Sequence, residues 1–252
     1  MKTLRDSWLI FDRSLWLTLR NPAWVVIGLM QPIMFLVLFG PLLDKIAQGP
    51  GFPAGGAWNV FVPGLLIQLS MFVGFAGFGL IAEQRAGVVE RMRVTPMSRP
   101  AMLLGRSTRD VVLLLCQGAV LIAVAIPFGL HPDLPAIALT LGLLALIGFA
   151  LAPTSYALGL WLKSEDAFAP LLNSITIPLL LLSGILLPMS LAPDWLRVIA
   201  TFNPFAHAVD AARAAFTGNF GDPEIGIAVG LMAVLAVIAV WVAGRAFGRA
   251  VA

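Results

Sequence analysis

The charged side chains of this chain gather in one polar stretch, AEQRAGVVERMRVTPMSRP, at residues 82–100. Its charges are Glu83, Arg85, Glu90, Arg91, Arg93 and Arg99. Acidic and basic groups this close together can pair with the charges of a protein partner, and the basic groups can also hold anionic lipid headgroups. The third interpretation is an ordinary solvated loop. The stretch therefore predicts a surface that binds a protein partner, a surface that binds anionic lipid, or a loop without a binding role.

The patterns that catalysis or nucleotide binding requires are absent from the sequence. His131 and His207 are far apart in the chain, which disfavours a metal pair. No Gly-Lys dipeptide occurs, so a phosphate-binding loop of the G-x-x-x-x-G-K-[ST] type is excluded. The G-x-S-x-G nucleophile motif is also missing. If the protein uses ATP, we expect the nucleotide to lie on another chain.

The composition is that of a membrane protein with several spans. The chain has 252 residues, of which 60% are hydrophobic and 12% are charged. Soluble domains are about 45–50% apolar and about 25% charged. The basic residues stand at the ends of apolar segments, which favours membrane topology over nucleic-acid binding. A single cysteine, Cys116, excludes an intrachain disulfide bond.

Apolar runs of about 20 residues predict six transmembrane helices. They cover residues 22–43, 59–82, 111–130, 134–162, 168–188 and 225–244. The first run is too long for the core of a cleaved signal peptide. The fourth is over-long and contains Pro153, so a break there is one expectation. Residues 189–224 are amphipathic and too polar to span.

Residues 1–21 predict an amphipathic helix in the membrane interface. Its apolar stripe has helical spacing and consists of Leu4, Trp8, Phe11, Leu15 and Leu19. Thirteen Lys and Arg residues fall on the side of the two termini and of residues 83–100, and three fall on the other side. The positive-inside rule therefore predicts cytoplasmic termini and an external 189–224 segment.

The predicted spans contain no Asp, Glu, Lys, Arg or His on these boundaries. Ion-coupled transporters and membrane enzymes usually place ionisable groups inside the membrane. Both classes are therefore disfavoured.

Four pieces of the sequence, in order, resemble one known family. Residues 83–99, EQRAGVVERMRVTPMSR, resemble the segment after the second span of ABC-2 type transporter permeases. The other pieces are QP at 31–32 with FG at 39–40, FVPGLL at 61–66, and residues 183–218. The last is most similar to the drug-resistance and nodulation-export branch of the family.

The resemblance implies an all-α membrane protein that serves as the permease of an ATP-driven exporter in the bacterial plasma membrane. Such a permease is not an enzyme and binds no cofactor, because ATP and Mg lie on a cytoplasmic ATPase subunit. It pairs with a second permease copy, identical or paralogous, and does not bind nucleic acid. The resemblance also implies that residues 189–224 form a re-entrant helical hairpin.

Three groups of residues follow from the resemblance and from their polarity. The ATPase-coupling residues are Glu83, Arg85, Gly87, Val88, Glu90, Arg91, Arg93 and Pro96. The polar residues within spans that could line a substrate path are Gln31, Gln68, Ser70, Asn173, Thr176 and Ser183. The external hairpin residues are Asn203, Pro204, Asp210 and Arg213. Hydrogen bonding between helices is the alternative role for the second group.

Two other functions share part of this pattern. A membrane anchor or sensor that recruits a soluble ATPase without transporting anything would need the same coupling segment. A membrane-embedded transferase acting on lipid precursors would need an acidic or histidine cluster, and none is evident. For a permease, the cargo could be a drug, a lipid, a glycan precursor or a secondary metabolite.

We expect Glu90→Arg and Gly87→Pro to abolish transport while leaving membrane insertion intact, because a docking helix needs its charges and its shape. Pull-down of the ATPase and substrate export by the variants check this prediction. Export and ATPase binding at wild-type levels would contradict the coupling assignment.

Overall fold

A computed structural model describes residues 2–47, 56–87, 98–185, 189 and 192–250. Within these ranges the chain forms helices joined by turns, with no strand. The helices are α1 (Lys2–Arg20), α2 (Ala23–Ile46), α3 (Gly56–Met71), α4 (Gly77–Arg85), α5 (Arg99–Ala125), α6 (Leu134–Leu162), α7 (Glu165–Leu181), α8 (Asp194–Ala200), α9 (Pro204–Phe216) and α10 (Pro223–Ala250).

Five stretches in the described part of the chain are long and apolar enough to cross a membrane. They are Val25–Leu43, Gly56–Arg85, Pro100–Phe128, Leu134–Leu162 and Pro223–Gly248. The fifth predicted span, 168–188, corresponds to α7, which has 17 residues and ends in a turn after Leu181. Six spans therefore stay a prediction, as does membrane re-entry of the α8–α9 segment.

The second predicted span is one apolar run that folds as two helices. The α-helix α3 ends at Met71, a 3₁₀ turn covers Phe72–Phe75, and α4 begins at Gly77. By contrast, the over-long fourth run is one continuous helix, α6, with Pro153 inside it. Glycines at 74, 77 and 79 surround the break in the second run, where a helix is intrinsically weak.

Helix α5, which contains most of the third predicted span, corrects the expectation that the spans lack ionisable groups. It begins at Arg99, twelve residues before the predicted span, and so it carries Arg106, Arg109 and Asp110. Hydropathy alone places the start of a span where the charges end. The helix continues through these charges because their partners lie on neighbouring helices.

Helix α1 packs against the first half of α5. Gly105 of α5 faces α1 so closely that a Cβ there would lie 2.6 Å from the main-chain oxygen of Ser7. Ile10 is buried at the same contact, beside Ala101 and Met102. The glycine therefore permits a backbone approach that a larger residue would prevent.

The predicted apolar stripe of α1 does not form this contact. Leu4, Trp8 and Leu19 on the stripe are exposed. The side of α1 that meets the protein instead carries Ile10 and Thr18. An exposed apolar stripe on an amphipathic helix is the arrangement expected for a helix that lies in a membrane interface.

The centre of the bundle is α3, which is buried on all sides from Val60 to Met71. It contacts α2, α5, α6 and α9. Gly64 lets the turn after α7 approach, since a Cβ there would lie 2.5 Å from the main-chain oxygen of Ile185. The fold thus surrounds the first half of the second span and leaves its second half, α4, near the α1 end.

Candidate coupling site

Buried charges connect four helices at the α1 end of the bundle. Arg109 of α5 pairs with the neighbouring Asp110 at 2.8 Å and donates to Thr18 of α1 at 3.1 Å. It also donates to the hydroxyl of Tyr156 on α6 at 3.0 Å, and that hydroxyl donates to Asp110. Both oxygens of the Asp110 carboxylate are therefore engaged.

A second pair ties α4 to the same face of α5. Glu83 of α4 forms an ion pair with Arg106, whose side chain is buried. Two residues further along α4, Arg85 pairs at 3.4 Å with Glu165, the first residue of α7, and this pair is exposed. We refer to Glu83, Arg106, Arg109, Asp110 and Tyr156 as the basal cluster.

Helix α1 also reaches the beginning of α5. The carboxylate of Asp6 accepts a hydrogen bond from the main-chain N–H of Ser98 at 3.2 Å, just before α5 begins at Arg99. An acidic group at this position satisfies a free N–H and interacts favourably with the helix dipole. Helix α1 is thus held to α5 at both of its ends, by Asp6 and by Thr18.

The predicted coupling residues are placed only in part. Glu83 and Arg85 lie at the end of α4 and both form ion pairs. Gly87 follows with a φ of 66°, a backbone conformation that favours glycine. The remaining members lie outside the described residues; they are Val88, Glu90, Arg91, Arg93 and Pro96.

Sequence reasoning missed four members of the basal cluster. Arg106 and Arg109 enter the sequence analysis only among the thirteen basic residues of the positive-inside argument, and Asp110 and Tyr156 do not enter it. A usable signal exists, because residues 106, 109 and 110 fall on one helical face if the helix is extended back to Arg99. Tyr156, the one tyrosine of the chain, lies in an otherwise apolar run.

A small apolar cavity lies beside the break in the second span. Its volume is about 140 Å³, and it is lined by α3, α6, α7, α9 and the 3₁₀ turn. Gly74, Ser155 and Thr176 are among its lining residues. Thr176 is the one predicted substrate-path residue on this lining.

The structure does not bring the other five predicted substrate-path residues together. Gln31 and Asn173 are exposed, on α2 and α7. Gln68, Ser70 and Ser183 are buried. The hydroxyls of Ser70 and Ser183 donate to carbonyls three residues earlier in the chain.

At the opposite end of the bundle, the predicted hairpin residues hold α9 in place. The guanidinium of Arg213 donates to the main-chain oxygens of Val60 at 2.9 Å and Gly184 at 2.7 Å. Asp210 approaches the same guanidinium at 3.6 Å. Arg213 therefore joins α9 to the beginning of the second span and to the turn after α7.

Asn203 and Pro204 begin α9. The side-chain oxygen of Asn203 caps the helix by accepting from the N–H of Phe205 at 3.0 Å, and its NH₂ group donates to the oxygen of Leu179 at 2.8 Å. Pro204 occupies the first helical position, where no N–H is needed.

His207 connects α9 with the helices on either side of it. Its Nδ1 lies 2.8 Å from the Glu224 carboxylate at the start of α10, and its Nε2 lies 3.0 Å from the carbonyl oxygen of Thr201. Both partners are acceptors, so only the imidazolium can donate to both at once. The hydrogen bond to Glu224 raises the pKa of His207, with a further contribution from Asp210.

Within the described residues, no group of three or more His, Cys, Asp or Glu side chains is arranged to hold a metal ion. The basal cluster pairs charges and holds helices α1, α4, α5 and α6 together.

The sequence profile of the family described as ABC-2 type transporter matches this chain over residues 5–217. The chain belongs to the ABC-2 type transporter family. It is similar to "Daunorubicin resistance ABC transporter permease protein DrrB1" of Streptomyces coeruleorubidus, with 26% identity over 227 residues. That match covers 85% of this chain and 77% of the relative.

Two further relatives agree with this assignment. "Nodulation protein J" of Rhizobium leguminosarum bv. viciae is 24% identical over 84% of this chain and 83% of its own length. "Putative transport permease ycf38" of Porphyra purpurea is 26% identical over 88% of this chain and 82% of its own length. The expected family and its drug-resistance and nodulation-export branch are confirmed, and the chain is a membrane transport permease.

We expect Asp110→Leu to destabilise the permease by about 1–3 kcal/mol, because the half-buried guanidinium of Arg109 loses its carboxylate partner. The double variant Arg109→Met/Asp110→Leu should recover most of this loss, since neither charge remains. The apparent unfolding midpoint in detergent measures both effects, and Asp12→Asn on the exposed side of α1 is the matched control. A midpoint for Asp110→Leu equal to that of the control would contradict this account of the basal cluster.

We expect the stability contribution of His207 to be complete below its unfolded pKa of about 6.5. It should be lost as pH rises through the folded pKa, because a raised folded pKa means that the folded state holds the proton more tightly. The apparent unfolding midpoint of the wild type should therefore fall as the pH rises above about 6.5. His207→Gln should flatten this profile, whereas His131→Gln at an exposed position should keep it; identical profiles for the two variants would refute the assignment.

Proposed function

We propose that this chain is the permease subunit of an ATP-driven exporter and works with a cytoplasmic ABC ATPase and a second permease copy. The ATPase supplies ATP and Mg binding, and the bilayer is the bacterial plasma membrane. In this arrangement the α1 end of the bundle faces the cytoplasm and the α8–α9 segment faces outward.

The observation that carries the proposal is the basal cluster. In the resemblance to ABC-2 permeases, the elements that touch the ATPase are the N-terminal helix and the segment that begins at Glu83. The basal cluster links both of them to α5 and α6 through Thr18, Arg109 and the Glu83–Arg106 pair. Buried charge pairs resist separation, so α1 and α4 would transmit displacement to the spans.

The mechanism follows from these connections. ATP binding closes the two ATPase subunits, and the segment after Gly87 moves with them. Helices α1 and α4 carry this motion to α5 and α6, and the two permease copies shift against each other. Because ATP supplies the energy, no ion has to cross through titrating groups in the spans. This is consistent with charges that lie at one end of α5 and form pairs there.

A hydrophobic or amphiphilic cargo fits the apolar interior. The cavity of about 140 Å³ beside Thr176 is large enough for part of such a molecule and is lined mostly by apolar side chains. The relative named for daunorubicin resistance suggests aromatic drugs as one class of cargo to test first, and the apolar lining of the cavity suggests amphiphilic lipids as a second.

We expect proteoliposomes that contain the permease and its partner ABC ATPase to move a fluorescent probe only when ATP is hydrolysed. Daunorubicin and a fluorescent NBD-labelled phospholipid are the two probes, and an ATPase variant that cannot hydrolyse ATP is the control. Thr176→Trp, which fills the cavity, should reduce transport by about tenfold or more without reducing ATPase binding.

Gly142→Ala is the matched permease control, because a Cβ at this position meets no atom within 4 Å. Transport that persists in Thr176→Trp would rule out the cavity as part of the path. A complex that binds the ATPase but moves neither probe, and whose ATPase activity neither probe stimulates, would favour the anchor or sensor.

A further inference from the structure

The break in the second span is held by one hydroxyl group from another helix. Ser155 of α6 is 2% exposed, and its Oγ accepts a hydrogen bond from the main-chain N–H of Gly77 at 2.8 Å. The same hydroxyl donates to the main-chain oxygen of Gly74. One side chain thus bonds the backbone on both sides of the point where α4 begins.

The backbone at this point departs from the α-helical pattern. The N–H of Ala76 donates to the oxygen of Val73, and that of Gly79 donates to the oxygen of Ala76, which are bonds of 3₁₀ spacing. A break of this kind inside a membrane-spanning helix persists where neighbouring side chains satisfy the backbone groups it frees. Ser155 supplies that satisfaction from 78 residues away.

The break is also tightly packed at Gly77. A Cβ on Gly77 would lie 2.5 Å from the ring of Phe168 and 2.5 Å from the main-chain oxygen of Ser155. On the other side, a Cβ on Gly74 would meet nothing within 4 Å, and this residue lines the cavity. The backbone is therefore closely packed at Gly77, whereas at Gly74 it is held by the hydrogen bond from Ser155 and borders open space.

The two halves of the second span have different surroundings. Helix α3 is buried in the core, whereas α4 has nine residues and is held at its far end by the Glu83–Arg106 and Arg85–Glu165 pairs. Directly after α4 comes the segment that we propose contacts the ATPase. Helix α4 is thus a short lever between the break and that segment.

We propose that Ser155 is a positioning residue for transport, which fixes the break so that α4 moves as a unit separate from α3 when the ATPase closes. This inference rests on the proposed function. It adds to that function a specific pivot at Gly74–Gly77. The group that holds the pivot, the Ser155 hydroxyl, lies on α6, which is the fourth predicted span.

Thr154 provides a matched control. It is the neighbouring residue on α6 and also lines the cavity, but it is exposed and its hydroxyl bonds the oxygen of Ala150 within its own helix. Thr154→Ala and Ser155→Ala each remove a hydroxyl group, the first together with a methyl group, and only the second removes a bond to the break.

The first measurement is hydrogen–deuterium exchange of residues 72–79 in the complete permease–ATPase complex. Ser155→Ala should change the exchange rate by about tenfold, because the Gly77 amide either loses its acceptor or closes into a continuous helix. Thr154→Ala should match the wild type. Unchanged exchange in Ser155→Ala would overturn the proposal.

The second measurement is the amount of daunorubicin or NBD-labelled phospholipid moved per ATP hydrolysed, using whichever probe the wild type transports. Ser155→Ala should lower this ratio by about fivefold while ATPase binding stays normal. Ser155→Cys keeps the side-chain volume with a weaker hydrogen-bonding group, so it should change the ratio in the same direction by less. It also replaces the alanine variant if that variant fails to insert.

A wild-type ratio in Ser155→Ala or an equal loss in Thr154→Ala would overturn the coupling role. If the wild-type complex moves neither probe, the proposed function fails and the coupling role fails with it. The exchange measurement would then still decide whether Ser155 holds the break.

Discussion

A polar group that enters the apolar bundle of this permease has to find its partner inside the protein, because hydrocarbon offers neither hydrogen bonds nor screening. The described part of the structure follows this constraint at three depths. Charges at the α1 end form the basal cluster. Ser155 forms hydrogen bonds with the free backbone N–H and C=O groups at the break in the middle of the second span. At the other end, Arg213 donates to main-chain carbonyls. At each depth at least one of these bonds joins segments that are distant in sequence, so the same interactions that make the polar groups tolerable also set the helix positions.

Much of the architecture could be predicted from local patterns. The N-terminal amphipathic helix and the long apolar helices follow from periodicity and hydropathy, which are properties of neighbouring residues. The family resemblance, rather than periodicity, predicts the helices between residues 189 and 224 and places Arg213 among them. The family resemblance supplied the function class, which composition alone could not, since many classes of membrane protein share a similar hydropathy.

The features that the sequence did not reveal depend on contacts between distant residues. Hydropathy predicted the second span as one helix, and its break becomes stable only through Ser155, which no local pattern connects to Gly77. The same limitation applies to the start of α5, which lies at Arg99 and not at residue 111, where the predicted third span begins. Asp110 and Arg109 look like residues outside a span until Tyr156 is placed beside them. The apolar stripe of α1 is evident from the sequence, but the side that meets α5, with Ile10 and Thr18, is not.

Arg213 binds its neighbours through their main-chain oxygens, and this has a consequence for how such a sequence can diverge. A carbonyl is present whatever the side chain, so Val60 could be replaced by other residues that fit the core without losing this bond, whereas Gly184 is restricted by its φ of 72°. The arginine itself has no such freedom, because no other side chain offers the same planar set of donors. One end of the interaction is thus tolerant of substitution and the other is not. Relatives that have drifted far apart could keep this junction through a single retained residue.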